Sequence, residues 1–187
     1  PPDWDQPIIN QPEVGFLGII AKEIDGNIHF LMQAKIEPGN VNHVQISPTL
    51  QATKSNYTRV HKGKKSAYID YFRSGKYHVL LDQLQSEQGD KFLKKRNRNI
   101  IIKVNEEIDH DENFFWLTLQ DLKALMHFDN MVNMDTRTVI SALPYIQGSY
   151  VNTHKGIMLN NSFNTIENII FWVTKMKTKF ELETTRI

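Results

Sequence analysis

The stretch 14–36 decides the fold: VGFLGIIAKEI over 14–24, DGN over 25–27 and IHFLMQAKI over 28–36. Val14 to Lys22 is largely apolar and carries Phe16, Leu17, Ile19 and Ile20. Asp25-Gly26-Asn27 is a turn signal, because Gly and Asn reach positive φ with little strain and Asp bonds its neighbouring backbone. From Ile28 the pattern alternates. Ile28, Phe30, Met32, Ala34 and Ile36 fall on one face, and His29, Leu31, Gln33, Lys35 and then Glu37 on the other. A period of two belongs to a strand, so the stretch predicts a β-hairpin. Gln33, Lys35 and Glu37 then read in one of two ways: a solvated row with an ion pair, or a row of functional groups on a rigid strand.

Upstream, Pro1, Pro2, Pro7 and Pro12 forbid regular helix, so residues 1–13 read as an extended arm carrying Trp4. Downstream, Pro38-Gly39-Asn40 ends the second strand. SPTLQATKSNY (47–57) is dense in hydroxyls and amides, and is expected to be a binding loop or a disordered one. HKGKK (61–65) is a basic turn. Ala67 to Phe72 fits helix or strand, Tyr77 to Leu84 fits strand, and Ile100 to Val104 is a strand. Lys91, Lys94, Lys95, Arg96 and Arg98 form a basic cluster, and 106–112 an acidic turn. Phe114 to Leu117 leads into a helix over 119–128, which Thr118 and Asp121 open as a capping box. Asp135 is expected to cap another helix ending before Pro144, and Asn164 with Glu167 opens one running to about Phe180. Strands first and helices later, mainly in the C-terminal third, is an α+β order.

The chain has 187 residues, 40% hydrophobic and 23% charged, which fits a folded domain with a real core. It has no cysteine, which excludes disulfides and thiolate chemistry and points to the cytoplasm. Lys and Arg number 22 against 21 Asp and Glu, a balance that argues against a nucleic-acid binder but permits a local anion site. No apolar run approaches the length of a membrane span, and the polar, Pro-rich opening does not resemble a leader. Rossmann, P-loop and zinc-protease motifs are missing, and the seven His show no metal-ligand spacing, so no motif points to a metal or a cofactor.

Eight segments resemble one family when taken in order. They are Trp4 to Ile9 (WDQPII), Gln33 to Gly39 (QAKIEPG), Ser47 to Thr53 (SPTLQAT), Ser55 to Thr58 (SNYT), Gln85 to Gly89 (QSEQG), Lys95 to Asn99 (KRNRN), Trp116 to Leu119 (WLTL) and Val132 to Thr138 (VNMDTRT). Together they are similar to the NDP-hexose 2,3-dehydratase family, closely over residues 4 to about 140. That resemblance implies a dTDP-linked 4-keto-6-deoxy sugar as substrate, a homodimer, and two related repeats similar to the Nudix-hydrolase fold, with a mixed sheet. This chain is most like the second repeat. The Nudix catalytic box has no match, so pyrophosphate hydrolysis is not implied. The domain expected is 14–161, between the arm and a C-terminal helix and tail at 162–187. The alternative to a catalytic unit is a noncatalytic nucleotide-sugar-binding or dimer-scaffolding repeat.

The implied chemistry needs a base for the C3 proton, an acid for the C2 hydroxyl and donors for the enolate oxygen. Glu87, the carboxylate of QSEQG, is the first candidate base, oriented by Gln85 and Gln88; otherwise it is a structural partner of Arg96 or Arg98. Tyr57 and His61 are further acid or base candidates, and Lys35 would polarise the ketone. Arg96 and Arg98 suit the diphosphate. Trp4, Gln33, Thr49, Gln51, Ser55, Asn56, Gln85 and Asn97 are candidate sugar or nucleotide contacts. Asp135 and Arg137 read as a ligand pair or as a buried ion pair at a helix start.

Overall fold

The computed structural model describes residues 5–41, 43–54, 66–143 and Phe171. The chain divides into two compact units, Pro1–Leu143 and Pro144–Ile187. The described part of the first is a mixed seven-stranded sheet with short helices, an α+β structure. The expected 164–180 helix lies outside the described residues, apart from Phe171.

Strands β1 (Val14–Ile24) and β2 (Asn27–Ile36) form the hairpin read from the sequence. Asp25 and Gly26 turn it with φ of 50° and 77°, the left-handed pair that a two-residue connection requires. The hairpin is paired only near its turn, from Ile24↔Asn27 to Ile20↔Leu31. Beyond that the two strands part. The gap is filled by β3 (Val44–Ser47) on β2 and β4 (Leu50–Ala52) on β1, both antiparallel.

Thr49, between β3 and β4, plugs the fork. Its hydroxyl accepts from Ile20 N at 3.0 Å and donates to Leu31 O, the last pair before the strands separate. The 47–57 segment is therefore strand at Ser47 and over Leu50–Ala52, joined by a two-residue connection, rather than a loop there. Ile46, Leu50 and Ala52 are buried, and these short apolar anchors outweigh the surrounding hydroxyls.

The other edge of β1 runs parallel to β6 (Arg96–Val104), from Val14↔Arg96 to Lys22↔Val104. β5 (His78–Ser86) is antiparallel to β6 and forms the sheet edge, with a bulge between Val79 and Leu81. β7 (Phe114–Thr118) pairs with β2, so the aromatic segment is a strand before it meets a helix.

Apolar clusters cover both faces. On one, Ile20, Leu31, Ile100 and Ile102 pack against Ile69 and Phe72 of α1 (Ile69–Arg73), so 67–72 resolves as helix. A Cβ on Gly18 would lie 2.6 Å from the Phe72 ring, so the absent side chain sets how closely α1 approaches. On the other face, Leu17, Ile19, Phe30 and Ile101 pack against Leu122 of α2 (Leu119–Leu125) and Val139 and Ile140 of α3 (Met134–Ser141). Thr118 and Asp121 form the expected capping box of α2, which ends earlier than the pattern suggested.

Candidate functional site

Register places the candidates. Residues directly opposite in a sheet share a face. Gly15↔Asn97, Leu17↔Asn99 and Leu17↔Gln51 therefore set Asn97, Asn99 and Gln51 on the face of Leu17, under α3. Gln85↔Asn97 and Gln83↔Asn99 extend the same rows onto β5. Arg96 and Arg98 alternate to the opposite face.

A cavity of about 210 Å³ lies on the α3 side, lined among others by Leu17, Gln85, Glu87, Asn97, Asn99 and Asp135. Glu87 follows β5 in the turn to β6. Asn97 Nδ2 donates to its Oε2 at 2.7 Å, and Gln88 N donates to its Oε1 at 3.2 Å. Its orienting side chain is thus Asn97, which stands opposite Gln85 on the next strand and reaches past it to the Glu87 carboxylate, rather than Gln85 itself. Gln85 instead accepts from Asn99 Nδ2 at 2.7 Å. Asn99 is fully buried, and its Oδ1 has no partner among the described residues. Gln51 Oε1, one row-neighbour away across Leu17, is buried and unpartnered in the same sense. Buried acceptors of this kind are scarce and call for a ligand donor or a water.

Asp135 does not cap α3. Asn133 does, accepting from Thr136 N at 2.8 Å while its Nδ2 donates to Ser47 Oγ at 3.0 Å. Thr136 Oγ1 also donates to Ile46 O at 3.0 Å, so α3 is pinned to β3. Asp135, in the first turn, lines the cavity. Burial, reinforced by the charges of Glu87 and Glu37 and opposed by Lys35, lifts its carboxyl to about 6. The Asp135–Arg137 pair is not formed, because the Arg137 guanidinium donates to Val132 O at 3.1 Å and Met126 O at 3.2 Å.

Lys35 and Glu37 make the ion pair expected, at 2.9 Å, and Gln51 Nε2 on β4 donates to Glu37 Oε1 at 3.2 Å. Glu37 thereby ties the two arms of the fork. Gln33 sits in the register of Leu31, between Ser47 and Phe114, and Thr49 is consumed inside the fork. Arg98 is held by Asp82 through Nε–Oδ1 at 2.7 Å and NH2–Oδ2 at 2.5 Å, and this pairing raises its pKa. It lies over the Phe16 ring, on the face opposite the cavity, and Arg96 shares its parity on β6. Trp4, Ser55, Asn56, Tyr57 and His61 lie outside the described residues.

Sequence reading missed Gly15. A Cβ there would stand 2.7 Å from Asn97 Oδ1, so its smallness preserves the Asn97–Glu87 contact. The shared parity of Asn97 and Asn99 was a visible signal of a common face. Nothing local signalled that Asp135 and Glu87 line one cavity. A shallower depression of about 510 Å³ at the far end of β5 and β6 includes Lys76, Tyr77 and Lys103. There Lys103 pairs with Glu23 at 2.7 Å, and a hydrogen bond to Glu106 raises the Tyr77 phenol to about 12. Among the described residues no three His, Asp or Glu are grouped to hold a metal, and no helix is long and apolar enough to cross a membrane.

A mixed sheet forked by β3 and β4 thus carries a cavity of carboxylates and amides beneath a pinned helix. The NDP-hexose 2,3-dehydratase family model matches residues 1–143, and the chain belongs to that family. It is 47% identical over its whole length to a dTDP-4-dehydro-6-deoxy-alpha-D-glucopyranose 2,3-dehydratase of Saccharopolyspora spinosa, covering 41% of that protein. Proteins of the same name from Amycolatopsis orientalis and Streptomyces violaceoruber are 44% and 45% identical over 99% and 100% of the chain, which covers 37% and 42% of them. The chain thus spans about two fifths of these relatives. Among solved structures, a C. elegans Ap4A hydrolase aligns with 70% of this chain and 95% of its own, at TM-score 0.42 and 13% identity. That likeness is too low to bear on chemistry.

Proposed function

We propose that this chain supplies a sugar-binding and proton-transfer site of a dTDP-4-keto-6-deoxyhexose 2,3-dehydratase, on a route to 2,6-dideoxysugars. The observation that carries the reading is Glu87, a carboxylate on the cavity wall oriented by Asn97 beside the unpartnered acceptor of Asn99. The 4-ketone acidifies the C3 proton. Glu87 takes that proton, leaving an enolate across C3 and C4. Collapse of the enolate expels the C2 oxygen, and the resulting enol tautomerises to the 3,4-diketone. Lys35 is the cation to set against the enolate oxygen, and buried amides serve sugar hydroxyls without adding charge.

Trp4, Ser55, Asn56, Tyr57 and His61 remain candidates on sequence grounds, as do a homodimer and a cytoplasmic location. A noncatalytic nucleotide-sugar-binding repeat is the second reading, favoured by the two-fifths coverage of the relatives.

The test is the whole protein with the dTDP-linked 4-keto sugar in deuterium oxide, followed by NMR. Glu87→Gln should keep binding and slow C3 exchange and elimination by roughly 100-fold or more. Unchanged exchange in a folded Glu87→Gln protein rejects Glu87 as the base. Wild-type binding without exchange favours the second reading.

A further inference from the structure

We propose that Asp135 is the proton donor to the departing C2 hydroxyl, facing the Glu87 base across one cavity whose buried Asn99 acceptor seats the sugar. This rests on the dehydratase reading above. The elimination needs two proton transfers of opposite sense, and the cavity holds two carboxyl groups in unlike settings. Glu87 accepts from Asn97 Nδ2 and Gln88 N, so both its oxygens already act as acceptors. Asp135 receives no such donors among the described hydrogen bonds and is half-buried on the first turn of α3. Its titratable surroundings are Glu87 from the β5–β6 turn, Glu37 and Lys35 from β2 and its edge. Burial is the main cause, and the like charges of Glu87 and Glu37 add to it against the opposing charge of Lys35, so the protonated form persists well above the ordinary carboxylate range.

An independent observation marks the cavity as a ligand site. Asn99, which lines the cavity, is completely buried, spends its Nδ2 on Gln85, and leaves Oδ1 unpartnered among the described residues. A hydroxyl donor satisfies that oxygen, whereas a diphosphate would face two carboxyl groups there. The sugar ring, not the diphosphate, therefore occupies this cavity.

The step balances as follows. Glu87 carboxylate takes the C3 proton and becomes a carboxylic acid. The enolate oxygen reforms the C4 carbonyl, the C3–C4 π pair becomes the C2–C3 double bond, and the C2–O bond breaks. Asp135 carboxylic acid transfers its proton to that oxygen, which leaves as water. A proton then returns from Glu87 to Asp135 through solvent. No oxidant or reductant is involved.

The experiment separates the two transfers in the whole protein. Asp135→Asn should keep C3 exchange with deuterium oxide, because the base is intact, and slow elimination by about 100-fold. A 2-fluoro analogue of the 4-keto sugar expels fluoride without needing a donated proton, so its elimination should be nearly equal in wild type and variant. Normal elimination of the hydroxyl substrate by Asp135→Asn overturns the proposal, as does equal loss with both substrates. If Asp135→Asn does not fold, Asp135→Glu should move the alkaline limb of the kcat profile, and an unmoved limb overturns the assignment. Wild-type protein that shows no C3 exchange defeats the dehydratase reading itself, which these arms distinguish from a failure of Asp135 alone.

Discussion

Asn97 holds Glu87 from the neighbouring strand, Nδ2 to Oε2 at 2.7 Å, and Gly15 on β1 leaves room for it to do so. Gly15→Ala would place a methyl 2.7 Å from Asn97 Oδ1 and 3.4 Å from Ala52 O. Asn97 must then yield, since a backbone carbonyl cannot. The expected result is a loss in kcat of about 10- to 100-fold with substrate affinity retained, matched by Asn97→Ala. Steady-state kinetics of both variants check it; full activity in folded Gly15→Ala would show that Asn97 does not position the base.

Asp135 is held at the expense of stability. Its carboxyl titrates near 6 in the fold, against an ordinary value of 3.8. Between those values the native state binds more protons than the unfolded chain, so stability falls as pH rises through about 4 to 6 and then levels. Asp135→Asn removes that term. It should be the more stable protein at pH 7–8 by on the order of 1–2 kcal/mol, with the difference closing below pH 4. Denaturant midpoints measured across pH test the sign.

Lys35 is the group that opposes the rise of the Asp135 pKa. Lys35→Met should therefore raise that pKa further, moving the carboxyl resonance of Asp135 to a higher midpoint in an NMR titration. A downward shift would mean that Lys35 does not face Asp135.

Thr49 closes the fork through Ile20 N and Leu31 O. Thr49→Val keeps the shape but leaves buried backbone groups without that partner, at a cost of about 1–3 kcal/mol. Thr49→Ser, which keeps the hydroxyl, should lose much less. Equal stability of the Val variant and wild type would contradict the bridging role.

Arg98 and Asp82 are coupled on the face away from the cavity. Both are partly exposed, so a double-mutant cycle should give about 0.2–1 kcal/mol in stability. Arg98→Ala should leave sugar-nucleotide affinity unchanged. A large affinity loss would return Arg98 to a diphosphate role.

The hairpin at 14–36, the Thr118–Asp121 box and the strand at Ile100 to Val104 were legible locally, since turn chemistry, capping and a period of two each depend on a few adjacent residues. Family membership was legible for the same reason, as eight short motifs in order. The start of the 47–57 segment was misread because the hydroxyls of Ser47 and Thr49 look solvated until the fork between β1 and β2 encloses them. Arg98 and Asn97 were both candidate contacts to the nucleotide sugar, and because 96–104 forms strand β6 the two alternate to opposite faces. Asp135 was expected to cap a helix, but Asn133 takes the cap, and bonds from α3 to β3 leave Asp135 in the first turn, lining the same cavity as Glu87. These relations depend on register and packing between segments far apart in the chain, which set burial and charge environment together and have no local signature in residue order.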